Sequence, residues 1–228
     1  MTTFVLIHGA GDGAWYWHLL VAELRRRAHE AIAMDLPSDD ESAGLSEYAD
    51  AVVDAIGDRT DLVVVGQSFG GFTAPLVCER VPAKLLVLVA GMIPSPGEPP
   101  QDWWANTGYA EANGEQTEDD TATADEEDDV IATYYHDVPP ELAAEALGRA
   151  RPQTGTPMRE PWPLEAWPDV PTRILLCRDD RLFPAEFMRR VARERLGITA
   201  DEIAGGHCVA LSRPDDLADR FEAYLDEL

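Results

Sequence analysis

The residues best placed to do chemistry lie in the run Val63-Val64-Val65-Gly66-Gln67-Ser68-Phe69-Gly70-Gly71. An apolar, β-branched stretch ends in Gly66-x-Ser68-x-Gly70, and a segment able to form a helix follows from Phe72 to Arg80. This is the pattern of a nucleophile elbow, a sharp strand-to-helix turn that lifts a serine hydroxyl above a sheet. Glycines two before and two after the serine remove side chains that would clash in so tight a turn. A serine hydroxyl is a weak nucleophile without a base to take its proton, so the pattern predicts a histidine and a carboxylate further along. Of the five histidines, His207 has the required setting, in the loop Gly205-Gly206-His207 between a short strand near Glu202-Ile203 and a final helix over Leu217–Leu225. His8 reads as structural, His18 and His29 flank a surface helix, and His136 is a candidate for the substrate pocket. The carboxylate is expected in Arg178-Asp179-Asp180-Arg181-Leu182-Phe183-Pro184, where both aspartates are candidates.

Acyl chemistry at Ser68 also needs donors for the oxyanion that develops on the attacked carbonyl. The backbone N–H of Phe69, at a helix N-terminus, is one candidate. The other is the N–H of Ala10, in the glycine-rich loop His8-Gly9-Ala10-Gly11-Asp12-Gly13. A phosphate cradle is the rival reading of that loop. It is disfavoured because no Lys-Ser/Thr pair ends it and Asp12 would repel phosphate. No Cys/His cluster has metal-ligand spacing, and neither a metal nor a cofactor is expected.

The elements that must hold these residues alternate between strand and helix. Strands are predicted at Phe4–His8, Ala31–Leu36, Leu62–Gly66, Leu85–Ala90 and Arg173–Cys177, and helices at Trp17–Ala28 and Glu47–Ile56. The alternation predicts an α/β chain with a mainly parallel, doubly wound sheet of about six strands. It breaks at residues 92–171, which read as a small cap inserted after the strand that ends near residue 90, with 1–91 and 172–228 forming the core. Trp103, Trp104, Trp162 and Trp167 fall in this insertion, and Trp103 and Trp104 are expected to line an apolar pocket together with Gly9 and His136. The acidic run 118–129 is expected to be solvated, because burying unpaired carboxylates is costly.

A chain of 228 residues that is 45% hydrophobic is long enough to bury a core, which excludes a disordered segment. Its net charge of −25 argues against nucleic acid and anionic membranes as partners. No apolar run reaches the roughly 18 residues of a membrane span. No signal peptide is evident, and Cys78, Cys177 and Cys208 have no framework spacing. These features predict a reducing, cytoplasmic location. A monomer or homodimer acting on a small-molecule ester is expected.

Together these features resemble the α/β-hydrolase superfamily, and the resemblance implies the α/β-hydrolase fold. The opening His8-Gly9-Ala10-Gly11-Asp12-Gly13-Ala14-Trp15-Tyr16-Trp17 is similar to that of the plant methylesterase and hydroxynitrile lyase branch. The resemblance implies that the acid stands four residues before the proline of its loop, which selects Asp180 over Asp179. It also speaks against the lyase, whose members carry a lysine where this chain has Cys208 and a threonine where it has Gly9. The expectation is a serine hydrolase with Ser68, Asp180 and His207 as its catalytic residues. A small-molecule receptor on the same fold, or an enzyme that turns the same residues on lactones, thioesters or C–C bonds, is the alternative.

Overall fold

A computed structural model describes residues 1–113 and 126–228. Six parallel strands form one sheet in the order β2-β1-β3-β4-β5-β6. They span Thr3–Ile7 (β1), Glu30–Ala33 (β2), Leu62–Gln67 (β3), Ala83–Val89 (β4), Thr172–Cys177 (β5) and Asp201–Ile203 (β6). Successive side chains of a strand point to opposite faces, so strands covered on both sides read as continuous apolar runs. Val5, Ile7, Val64, Leu86 and Leu88 pack on one face against Tyr48 and Val52 of α2 (Leu45–Ile56), Phe72 and Leu76 of α3 (Gly70–Arg80) and Phe187 and Val191 of a helix over Ala185–Leu196. Phe4, Leu6, Val63, Val65, Leu85 and Val87 pack on the other face against Leu20 and Leu24 of α1 (His18–Arg26) and Leu217 and Phe221 of a C-terminal helix over Pro214–Asp226.

The strand order reverses about β1, with β2 on one side of it and β3 on the other. The loops leaving the C-terminal ends of β1 and β3 therefore diverge and open a crevice, the usual ligand position in an open parallel sheet. The loop after β1 carries Gly9 to Gly13, and the turn after β3 carries Ser68.

The sequence overstated two elements. The strand expected over Ala31–Leu36 ends at Ala33, because the Leu36 N–H turns away from the ladder and donates to His8 Nε2 at 3.1 Å. The helix expected over Trp17–Ala28 is a 3₁₀ turn over Ala14–Trp17 followed by α1, and Ala28, at φ 64°, breaks it in the left-handed region. Other helices start earlier than expected. α2 begins at Leu45, with the Glu47 side chain accepting the Gly44 N–H at 2.9 Å.

Between β4 and β5 lie a 3₁₀ turn at Pro100–Asp102 and the helices α4 (Trp103–Asn106), α5 (Tyr109–Asn113), α6 (Glu126–Tyr134), α7 (Pro140–Gly148) and α8 (Thr156–Arg159). Then come α9 (Ala185–Leu196), α10 (Val209–Ser212) and α11 (Pro214–Asp226). Of the acidic run, positions 118–125 lie outside the described residues, while Glu127, Asp128 and Asp129 are exposed on the first turn of α6. Among the described residues, no helix is long and apolar enough to cross a membrane.

The start of this segment is tied to α9 by a buried ion pair. Glu98 accepts from Arg195 Nη2 at 2.7 Å and also from Asn106 Nδ2 and the Ser95 N–H. Their side chains are only 4% and 11% exposed. Removing one partner of such a pair strands a charge in low dielectric. Glu98→Ala is therefore expected to lower unfolding stability by about 3–5 kcal/mol, read as a reduced midpoint in urea.

Candidate active site

Ser68 follows the last residue of β3 at φ 51°, a conformation that residues other than glycine rarely adopt. Hydrogen bonds on both sides hold the strain. The Ser68 carbonyl accepts from Gly71 N at 3.0 Å and Met92 N at 2.9 Å, and its own N–H reaches Val89 O at 3.4 Å. The turn closes only because its glycines lack side chains. A Cβ at Gly66 would come within 2.6 Å of Gly70 O, and one at Gly70 within 2.8 Å of Ile7 O. Ser68 is thereby lifted to the mouth of the crevice, at the N-terminus of α3. Its hydroxyl has no hydrogen-bond partner among the described residues, and neither do the backbone N–H groups of Ala10 and Phe69.

The loop after β5 brings Asp180, not Asp179, to His207. His207 Nδ1 donates to Asp180 Oδ2 at 2.8 Å, and both side chains are almost fully buried. The other carboxylate oxygen, Oδ1, accepts from Leu182 N at 2.8 Å and Phe183 N at 2.9 Å. Asp180 is thus fixed from both sides, and the proton held on Nδ1 leaves Nε2 of the neutral ring as an acceptor. Phe183 and Tyr134 meet the imidazole edge-on, at centroid distances of 5.2 and 5.6 Å. Asp179 instead accepts the Gly205 N–H at 2.9 Å, which shapes the loop that presents His207.

The remaining expected pocket residues divide. Trp104 lines the cavity. Trp103 does not: it is fully buried behind Trp104, packs on Phe183 and Phe187, and donates its indole N–H to Ile93 O at 3.0 Å. Its neighbour in sequence takes the pocket position because only one face of the short α4 looks toward the crevice. Trp162 is also a packing residue, donating to Phe72 O. His136 lies outside the cavity, bound through Nε2 to Asp179 O at 2.9 Å. With Asp137, which accepts the Gly206 N–H at 2.8 Å, it braces the two loops that carry Asp180 and His207. Gly9 lies directly against the serine, and a Cβ there would come within 2.9 Å of Ser68 Cβ and 2.7 Å of Gln67 Oε1. His8 is structural: it donates through Nδ1 to Gly9 O at 2.7 Å and accepts at Nε2, and burial lowers its pKa.

The cavity has two lobes that share Ala10, Ser68 and Tyr134. One adds Phe69, Met92, Trp104, Met158, Leu182 and Phe183. The other adds Asp12, Gln67, Tyr135, Leu147, His207 and Cys208. Tyr134, Tyr135 and Leu147 carry no local signal, because they reach the site only through the path of residues 126–148. Phe183 carried a usable signal, since it follows the acid of its loop by three residues.

Among the described residues, Asp12 is the one carboxyl group that lines this cavity. Burial pushes its pKa up from the ordinary 3.8 to about 7, with His207 opposing the shift. A carboxyl whose pKa is raised on folding keeps its proton in the native state while the unfolded chain has lost it. The stability this gives is present at low pH and is lost as the pH rises from about 4 through about 7. Asp12→Asn, which removes the ionisation, should therefore raise Tm relative to the unaltered protein more at pH 8 than at pH 5, as scanning calorimetry would read.

A model of the alpha/beta hydrolase family matches residues 4–220. A probable esterase, PIR7A, from Oryza sativa subsp. indica is 29% identical, covering 95% of this chain and 94% of its own length. Norfluorocurarine synthase 1 from Strychnos sp is 25% identical, covering 99% and 96%. The crystal structure of polyneuridine aldehyde esterase superposes with a TM-score of 0.81 at 20% identity, over 99% of this chain and all of that one, a likeness of fold.

Proposed function

The chain belongs to the alpha/beta hydrolase family, and from that premise we propose that it is a carboxylic ester hydrolase working through an acyl-enzyme on Ser68. The observation that carries the reading is the buried 2.8 Å hydrogen bond between His207 and Asp180 at the edge of the cavity onto which Ser68 opens. The esterase PIR7A, similar over nearly the whole chain, supports the reaction class.

In this reading Ser68 Oγ attacks the ester carbonyl carbon as His207 Nε2 takes the hydroxyl proton. Asp180 keeps the other ring proton on Nδ1 and stabilises the imidazolium that forms. The carbonyl oxygen, now negative, accepts from the free N–H groups of Ala10 and Phe69, and the dipole of α3 favours the charge at its N-terminus. The tetrahedral intermediate collapses, the C–O bond to the alcohol breaks, and His207 returns its proton to the departing oxygen. Water, deprotonated by His207, then attacks the acyl-serine and releases the acid. The lack of room at Gly9 supports a reaction that needs no side chain there.

A panel of p-nitrophenyl esters of increasing acyl length, run beside lactones and thioesters, tests the proposal. Sustained turnover of at least one short ester is expected. Saturable binding without turnover across the panel would overturn it in favour of a receptor. Lactone or thioester turnover without ester turnover would move the chain to another reaction at the same serine.

A further inference from the structure

The two lobes of the cavity differ in a way that assigns the halves of the substrate. If Ser68 and His207 act as described above, the proton on His207 must pass to the departing alkoxide. The alcohol part of the ester therefore lies beside His207. That ring lines the lobe of Asp12 and not the lobe of Trp104. Ser68 and Ala10 stand at the junction, where the carbonyl must sit. The acyl part is left to the second lobe, which is walled by Phe69, Met92, Trp104, Met158, Leu182 and Phe183 and has no charged group among the described residues.

The alcohol lobe is chemically one-sided. The Asp12 carboxyl receives no hydrogen bond or ion pair from any described residue. The neighbouring Gln67 directs its amide nitrogen to His207 O at 3.4 Å, and its Oε1 is a buried acceptor with no donor in reach. Arginines stand in the adjoining cleft, but each has its own carboxylates. Arg149 pairs with Glu145 at 2.8 Å and lies over the Trp15 ring, and Arg151 pairs with Asp35 and Asp39. The lobe holds neutral donors in Ser68, Tyr134 and the Ala10 N–H, but its Asp12 carboxylate has no cationic partner among the described residues, and a ligand that supplies positive charge complements it. A carboxylate there would meet Asp12 across a water-poor cavity, where like charges repel more strongly than in bulk water.

Resting on the ester-hydrolase reading, we propose that the Asp12 lobe is the leaving-group subsite and that Asp12 makes the enzyme select esters of cationic alcohols over neutral and anionic ones. Asp12 is a specificity residue in this account, not a participant in bond making. The Trp104 lobe has no such group, so a charge placed on the acyl part gains nothing from Asp12.

The test uses matched esters. Butyrylcholine is compared with its uncharged isostere, 3,3-dimethylbutyl butyrate, and a second pair carries the same trimethylammonium group on the acyl part. Measurements are made at about pH 8.5, where the Asp12 carboxyl, its pKa pushed up to about 7, is ionised, and in about 1 M salt, where the Debye length of roughly 3 Å suppresses steering by the overall negative charge. The unaltered protein should show kcat/KM about ten-fold or more higher for butyrylcholine than for its isostere, and Asp12→Asn should lower that ratio by a similar factor. Asp12→Glu should keep most of the preference, and the acyl-charged pair should give the same ratio in every variant. A preference that survives Asp12→Asn, or one absent from the unaltered protein while it turns over the neutral ester, would overturn the proposal. Failure to turn over the neutral ester at all would instead sink the ester-hydrolase reading. If Asp12→Asn folds poorly, inhibition of the unaltered protein decides. Phenyltrimethylammonium should inhibit neutral-ester hydrolysis at about ten-fold lower concentration than tert-butylbenzene, and equal inhibition would contradict the assignment.

Discussion

Ser68→Ala is expected to lower kcat for a p-nitrophenyl ester by about 10⁴–10⁶-fold, with the residual rate coming from binding and the oxyanion donors. The size follows from the role. The hydroxyl is the atom that bonds to the acyl carbon, and no other side chain at the junction of the two lobes can take its place. Tyr134, the other hydroxyl there, packs edge-on to His207 in a raised-pKa setting, so it is a poor source of oxyanion. The fold should be unaffected, because Ser68 Oγ makes no hydrogen bond and alanine tolerates φ 51° no worse than serine does. A folded Ser68→Ala variant that retains turnover within ten-fold would remove Ser68 from the chemistry.

Asp180→Asn is expected to lower kcat by about 10⁴-fold while leaving the loop in place. The asparagine oxygen can still accept from the N–H groups of Leu182 and Phe183, which hold the loop on Asp180 Oδ1. Its amide nitrogen then faces His207 Nδ1, which can only accept from it. The ring proton moves to Nε2, and the base is lost at the atom that must take the serine proton. Asp179→Asn is the control. Its amide oxygen can keep the bond to Gly205 N, so its effect should stay within a few-fold. Equal losses in the two variants would mean that the loop, not the carboxylate on His207, is what matters.

Much of this arrangement was legible in the residues. Strands buried on both faces announce themselves as apolar, β-branched runs, and the elbow by glycines that no other residue can replace at 2.6–2.8 Å from backbone oxygens. His207 was legible because it must follow a particular strand; the same rule left Asp179 and Asp180 open, and only the family resemblance chose Asp180. Elements whose limits depend on a single tertiary contact were less so. β2 ends where Leu36 prefers His8 to the ladder, and nothing local to Ala31–Leu36 encodes that choice. The pocket walls were the least legible. Trp103 and Trp104 are identical in chemistry, and only the packing of α4 against Phe183 and Phe187 decides which one faces the crevice. In the sequence Asp12 reads only as a charge that would repel phosphate, because the segment that encloses it lies more than a hundred residues away, at Tyr134, Tyr135 and Leu147.

The most direct test of the central claim is a pre-steady-state mixing experiment with p-nitrophenyl butyrate, quenched in acid and followed by mass spectrometry of the digested protein. The account predicts a burst of p-nitrophenol that is stoichiometric with enzyme, and a butyryl group on the peptide containing Ser68, absent from Ser68→Ala. Steady turnover with no acyl adduct after trapping, or an adduct on any other residue that persists in Ser68→Ala, would contradict it.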